Sequence, residues 1–206
     1  MIQGLYAITD AELIAPKRFK SKVQQVLEGG AKVVQYRDKS HHHQLRIEQA
    51  TILVNLCRQY KAISIINDDV ELAKIVRADG VHIGLEDEGV LEARQSLGEK
   101  VIIGASCYAD LELANKAVAD SADYVAFGSI FPSSTKPSAK IAGLDIISQA
   151  KKKMSVPVVA IGGIDLHNAA DVIAAGADSI ALISALFAGD DVRQSAEQFT
   201  DLFIQP

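Results

Sequence analysis

The chain has 206 residues, 49% of them hydrophobic and 23% charged, and a formal net charge of −5. This is the composition of a globular protein with a well-buried core, and the length suits one domain over residues 1–206, near the lower bound of an eight-unit barrel. No basic cluster exceeds Lys151-Lys152-Lys153 and no apolar run approaches the roughly 18 residues of a membrane span, which excludes nucleic-acid and membrane partners. Cys57 and Cys107 form neither a disulfide framework nor a zinc spacing. Met1-Ile2-Gln3-Gly4 carries no leader pattern, so a cytoplasmic protein is expected.

A first strand is predicted near residue 5. Val23, Val26 and Leu27 then follow helical spacing, and Gly29-Gly30 is placed to stop that helix. Val33-Val34 leads into Gln35-Tyr36-Arg37-Asp38-Lys39. Ala50, Leu53, Val54 and Cys57 form the buried face of the next helix. Ile63-Ser64-Ile65-Ile66 opens into Asn67-Asp68-Asp69, with a helical run over Val70 to Val76. Gly80-Val81-His82-Ile83-Gly84 is followed by Glu86-Asp87, and Val101 to Ala105 by Ser106. Tyr124 to Gly128 opens into a long loop, 129–142, holding Ser133-Ser134-Thr135-Lys136. Val158 to Ile161 stops at Gly162-Gly163, and Ile180 to Ile183 at Ser184.

This βα alternation predicts an α/β fold with a parallel sheet. A weak repeat sharpens it: Ala31-Lys32-Val33, Ala78-Asp79-Gly80, Ala122-Asp123-Tyr124 and Ala177-Asp178-Ser179 each join a helix end to a strand, about two βα units apart. They mark the even strands. Eight similar units favour a closed (β/α)8 barrel over an open sheet. All strand C-termini then meet on one face, where barrel enzymes keep their active sites.

Gln35, Arg37 and Lys39 alternate onto one side of a strand tip and form a grip for a diphosphate, while a solvated strand end fits the same residues. Asn67-Asp68 and Glu86-Asp87 leave consecutive strands, and two carboxylates with ligand phosphate oxygens suit Mg²⁺. Helix capping is the competing role. Asp69 fits the cap and Asp68 the metal. The hydroxyls and ammonium of loop 129–142 suit a closing, anion-binding lid. Gly162-Gly163 and Ile183-Ser184 end strands where barrels bind phosphate through backbone N–H groups. His41-His42-His43 do not share one helix face and are expected to be solvated, and His82 is expected to line the barrel or its core.

Leu5 to Asp10, Gln35 to Lys39, Ile66-Asn67-Asp68, Gly80 to Asp87, Ile103-Gly104-Ala105-Ser106, Ser133 to Pro137 and Ala160 to Ile164 together resemble the thiamine-phosphate synthase family, in order from about Leu5 to Phe187. The resemblance implies a (β/α)8 TIM barrel that is a transferase of thiamine biosynthesis. It joins 4-amino-2-methyl-5-(diphosphooxymethyl)pyrimidine to thiazole phosphate, giving thiamine phosphate and diphosphate. Gln35, Tyr36, Arg37, Asp38, Lys39, Asn67, Ser106 and Lys136 are implied to hold the pyrimidine diphosphate, with Arg37, Lys39 and Lys136 catalytic. Asp68 and Asp87 are implied to bind Mg²⁺. Ser133, Ser134, Thr135, Gly163, Ile183 and Ser184 are implied to hold the thiazole phosphate. Three positions depart from the family's usual residues: Leu85 for Gln, Ser133 for Thr and Tyr108 for His. Two rivals share the barrel, a thiazole tautomerase-like isomerase and an inactive phosphate-binding barrel with a regulatory role. The first is expected to need an acid–base residue where Tyr108 stands. The second is expected to have lost Arg37, Asp68 or Lys136, all of which are present. The partners implied are these small molecules, and association with further copies of the chain is left open.

Overall fold

Val33-Val34, Ile65-Ile66 and Val158-Val159 are buried to 1% exposure or less, as strands must be when they face a barrel interior on one side and helices on the other. The structure, a computed structural model, describes residues 1–84, 89–133 and 140–204. Its strands are β1 (Gly4–Ile8), β2 (Val33–Tyr36), β3 (Ile63–Asn67), β4 (Gly80–Ile83), β5 (Ile102–Tyr108), β6 (Tyr124–Phe127), β7 (Val158–Ile161) and β8 (Ser179–Leu182). Each pairs in parallel with the next, and β8 pairs with β1, so the sheet closes as the sequence predicts. Around it lie α1 (Phe19–Glu28), α2 (His43–Tyr60), α3 (Val70–Val76), α4 (Val90–Leu97), α5 (Leu111–Ala119), α6 (Asp145–Lys153), α7 (Ala169–Ala174), the short α8 (Ser184–Phe187) and α9 (Val192–Asp201). Among the described residues, no helix is long and apolar enough to cross a membrane.

The core has two compartments. The larger lies between strands and helices and takes Val23, Val26 and Leu27 of α1 with Ala50, Leu53, Val54 and Cys57 of α2. The smaller fills the barrel with Tyr6, Ile8, Val33, Ile65, Tyr124, Ala126, Val159 and Ala181. Large rings low in the barrel and alanines above them leave the C-terminal end open. Lys151, Lys152 and Lys153 close the last turn of α6, where cations complement the helix dipole.

The even-strand repeat has a physical cause at the opposite end. Asp79 Oδ2 accepts the Ser64 backbone N–H at 2.8 Å and its hydroxyl at 2.6 Å. Asp123 Oδ2 accepts the Ile103 N–H at 2.8 Å, and Asp178 Oδ2 the Val158 N–H at 2.8 Å. Each aspartate enters an even strand and ties down the start of the odd strand beside it. Arg94, a buried residue of α4, bridges Asp123 at 2.7 Å and the carbonyls of Gly98, Val101 and Ser121. These contacts sit on the face that stabilises a barrel, away from its mouth.

Candidate active site at the barrel mouth

Strand alternation decides what the mouth receives. Gln35 and Arg37 line a cavity of about 510 Å³, joined by Asn67, His82, Ser106 and Tyr108 from the next three strand exits. Ser129, Ser133, Gly162, Gly163, Ile183 and Ser184 line its other side.

Three residues assigned to the diphosphate set, Tyr36, Asp38 and Lys39, do not line this cavity. Tyr36, one position out of phase with Gln35 and Arg37, points into the strand–helix layer, where its ring meets Phe19 edge-on at 5.7 Å. Its hydroxyl lies 3.1 Å from Gln49 Oε1 and 3.3 Å from Asp38 Oδ2. Burial first, then the Asp38 charge, raises this phenol well above its ordinary range. Asp38 also accepts the Ser40 N–H at 2.8 Å. Tyr36 and Asp38 therefore shape the loop after β2 and do not line the cavity.

Arg37 is held from the first strand exit, which sequence reasoning left without a role. Its backbone N–H donates to Thr9 Oγ1 at 3.0 Å, and its guanidinium lies 3.3 Å from Asp10 Oδ2. Asp10 in turn accepts the N–H groups of Glu12 and Leu13. The signal was present only as Thr9-Asp10 directly after an apolar run. Lys39 is mostly exposed and reaches across to Asp68 Oδ2 at 3.5 Å.

The competition between cap and ligand at Asp68-Asp69 resolves in the backbone. Asp69 caps α3, accepting the Leu72 N–H at 2.8 Å, and pairs with Arg46 of α2 at 2.7 Å. Asp68 takes a left-handed φ of 61°, its N–H donates to the His82 carbonyl, and its carboxylate accepts from Asn67 Nδ2. An aspartate bears this conformation better than most residues. The turn separates the two carboxylates, one for the helix and one beside Asn67 and Lys39.

A bulge between Ser106 and Tyr108 ends β5, and Tyr108 has a φ of 51° and lines the cavity half exposed. Cys107 faces the outer core, where burial pushes its thiol up to about 12. At β7, Gly163 has a φ of 66°, and a Cβ there would stand 2.4 Å from the Pro132 carbonyl oxygen. That glycine is required by the close pass of the 131–132 backbone. At the floor of the cavity, which Tyr6 and Tyr124 also line, Gln35 Nε2 donates to Tyr6 Oη at 2.7 Å, and Tyr6 Oη lies 2.9 Å from Tyr124 Oη. Tyr124 Oη lies 3.0 Å from His82 Nδ1, and His82 Nε2 lies 2.9 Å from Ser106 Oγ.

Glu86, Asp87, Ser134, Thr135 and Lys136 lie outside the described residues. His42 precedes α2 and His43 begins it, both exposed as expected. Among the described residues, no group of three or more His, Cys, Asp or Glu is arranged to hold a metal.

A closed parallel barrel whose mouth gathers an amide, a guanidinium, hydroxyls and a paired carboxylate belongs to the class of (β/α)8 enzymes that act at the C-terminal face. The particular family follows from comparison. The family model described as "Thiamine monophosphate synthase" matches residues 5–186. The thiamine-phosphate synthase of Halorhodospira halophila is 47% identical over 197 residues, covering 96% of this chain and 92% of that one. That of Methylobacillus flagellatus is 48% identical over 202 residues, covering 98% and 96%. The solved structure of thiamine phosphate pyrophosphorylase from Pyrococcus furiosus superposes with a TM-score of 0.89 at 38% identity, covering 97% and 95%. The chain belongs to the thiamine monophosphate synthase family, and as a member it is a transferase of thiamine biosynthesis.

Proposed function

We propose that the barrel mouth joins 4-amino-2-methyl-5-(diphosphooxymethyl)pyrimidine to thiazole phosphate, releasing diphosphate and leaving thiamine phosphate. One observation carries this reading: Gln35, Arg37, Asn67 and Ser106, assigned to a single substrate, converge from separate strands on one cavity. Lys39 and Asp68 pair beside it. The pyrimidine ring lies between Gln35 and Ser106, and its diphosphate extends toward Arg37, Lys39 and, from loop 129–142, Lys136. The thiazole phosphate takes the opposite side, at Gly163, Ile183 and Ser184 with Ser133, Ser134 and Thr135.

The C–O bond of the pyrimidine methylene breaks with its electron pair leaving on diphosphate, and the electron-rich ring stabilises the cation left behind. The thiazole nitrogen supplies the pair for the new C–N bond. No proton has to move, so the enzyme's work is to position two rings and neutralise a growing negative charge. Arg37 is suited to that work because Thr9 and Asp10 fix it before substrate arrives.

Mg²⁺ fits the donors present: Asp68 offers hard oxygen ligands, and its left-handed turn frees it from capping α3. Asp68 and Asp87 would hold the ion, which supplies positive charge to the diphosphate when bound. The test is a coupling assay with both substrates, with and without Mg²⁺. Product formed only when both substrates are present supports the reading; isomerisation of a thiazole without the pyrimidine would favour the tautomerase.

A further inference from the structure

Tyr6, His82 and Tyr124 come from β1, β4 and β6, and their polar atoms meet inside the barrel. The Tyr6 and Tyr124 rings sit edge to face at 6.2 Å, and His82 stacks on Tyr124 at 5.5 Å. A chain of four hydrogen bonds runs through them from Gln35 to Ser106 along the floor of the cavity, which all five residues line.

Such a chain has a direction. Gln35 donates its amide N–H to Tyr6, so the Tyr6 hydroxyl turns its own proton to Tyr124. Tyr124, having accepted, turns its proton to His82 Nδ1. His82 then carries its proton on Nε2 and donates it to Ser106 Oγ. Ser106, having accepted, has its own proton left for the cavity. Burial of both phenols, which raises them well above their ordinary range, keeps each one a neutral O–H able to relay this order.

We infer that Tyr6, Tyr124 and His82 are positioning residues, forming a one-way hydrogen-bond chain that presets Ser106 as a donor and the Gln35 amide oxygen as an acceptor facing substrate. A pyrimidine carrying an amino group beside an unprotonated ring nitrogen is the complement of that pair. This consequence rests on the pyrimidine lying between Gln35 and Ser106, as proposed above; the direction of the chain does not. An oxo ring with a protonated nitrogen inverts both partners and is rejected, because a buried donor left unmade is costly.

The free protein tests the direction. Exchanging the exposed His41, His42, His43 and His167 for Gln leaves His82 as the one histidine for ¹⁵N labelling. A pyridine-type Nδ1 and a protonated, pyrrole-type Nε2 are expected. A proton on Nδ1, in the other tautomer or in the imidazolium, overturns the inference. The second arm is Tyr124→Phe, which breaks the chain while keeping the ring, with folding checked by thermal melt. The KM for the pyrimidine diphosphate is expected to rise about tenfold, while that for the thiazole phosphate stays at its original value. Equal rises for both substrates, or none for either, overturn the positioning role. If no coupling activity exists at all, the proposed reaction fails while the tautomer result still decides the chain.

Discussion

Replacing Gly104 by Ala puts a methyl group where the Tyr124 ring already is. A Cβ on Gly104 would lie 1.9 Å from Tyr124 Cζ, 2.3 Å from Cε1 and 2.4 Å from Oη, where carbon atoms normally keep about 3.5–4 Å. Gly104 does not have the positive φ that makes a side chain strained, so the cost is one of space alone. Tyr124 is fully buried and bonded at its hydroxyl to Tyr6 and His82, so a ring that moves aside toward the cavity gives up those bonds. Overpacking costs about 1–3 kcal/mol, and each buried polar group stranded by the ring's movement adds about 1–3 kcal/mol. With one such group stranded the sum is about 2–6 kcal/mol, a large share of the stability of a domain. Urea denaturation of the wild type, Gly104→Ala, Tyr124→Ala and the double variant measures it. Tyr124→Ala alone is expected to cost about 3–5 kcal/mol, and adding Gly104→Ala to it little more, so that the coupling is nearly the whole cost of Gly104→Ala alone. A loss below about 1 kcal/mol for Gly104→Ala, or additive losses in the double variant, would refute the reasoning.

Asp68→Ala, and Asp87→Ala with it, is expected to lower coupling activity at least a hundredfold in a chain that still folds and unfolds cooperatively in urea; full activity in excess chelator counts against the metal assignment. Tyr108→Phe is expected to keep kcat/KM within about tenfold, since the aromatic wall remains; a loss beyond about a hundredfold, or 2.7 kcal/mol, makes Tyr108 an acid–base residue. Gly163→Val, strained by its φ of 66° and forced against Pro132, is expected to raise the KM for thiazole phosphate more than that for the pyrimidine. The reverse order would invert the assignment of the two sides of the mouth. Burial raises the Cys57 and Cys107 thiols from 9.0 to about 12, so between those values the folded chain holds protons that the unfolded chain has released. Stability is therefore complete below pH of about 9 and falls as pH rises toward about 12, by up to about 1.4 kcal/mol per unit for each thiol. A urea midpoint unchanged between pH 8 and 11 would contradict this.

What could be read in advance was whatever repeats or acts locally. The even-strand motif was legible because its aspartates solve the same problem three times, satisfying an N–H group at or next to the first residue of β3, β5 and β7. The bounds of α3 followed from Asp69 as its cap. Period two also placed Gln35 and Arg37 together, and the same rule shows why Tyr36 and Asp38 did not join them: adjacent residues on a strand face opposite ways. Thr9 and Asp10 were part of a recognised motif but received no role, because a single carboxylate after a single strand announces nothing until Arg37 stands 3.3 Å away. The chain along the cavity floor was further out of reach. Tyr6 and Tyr124 lie 118 positions apart, and each reads in its own strand as one more apolar ring. Their polarity acquires a partner only when the sheet closes and brings β1, β4 and β6 around one space. Closure therefore does more than bury side chains: it converts two ordinary core tyrosines and a histidine into a connected polar path between cavity-lining residues of β2 and β5. Destabilising that interior, as Gly104→Ala does, should disturb the pyrimidine's two contact points together, although neither Gln35 nor Ser106 has been changed.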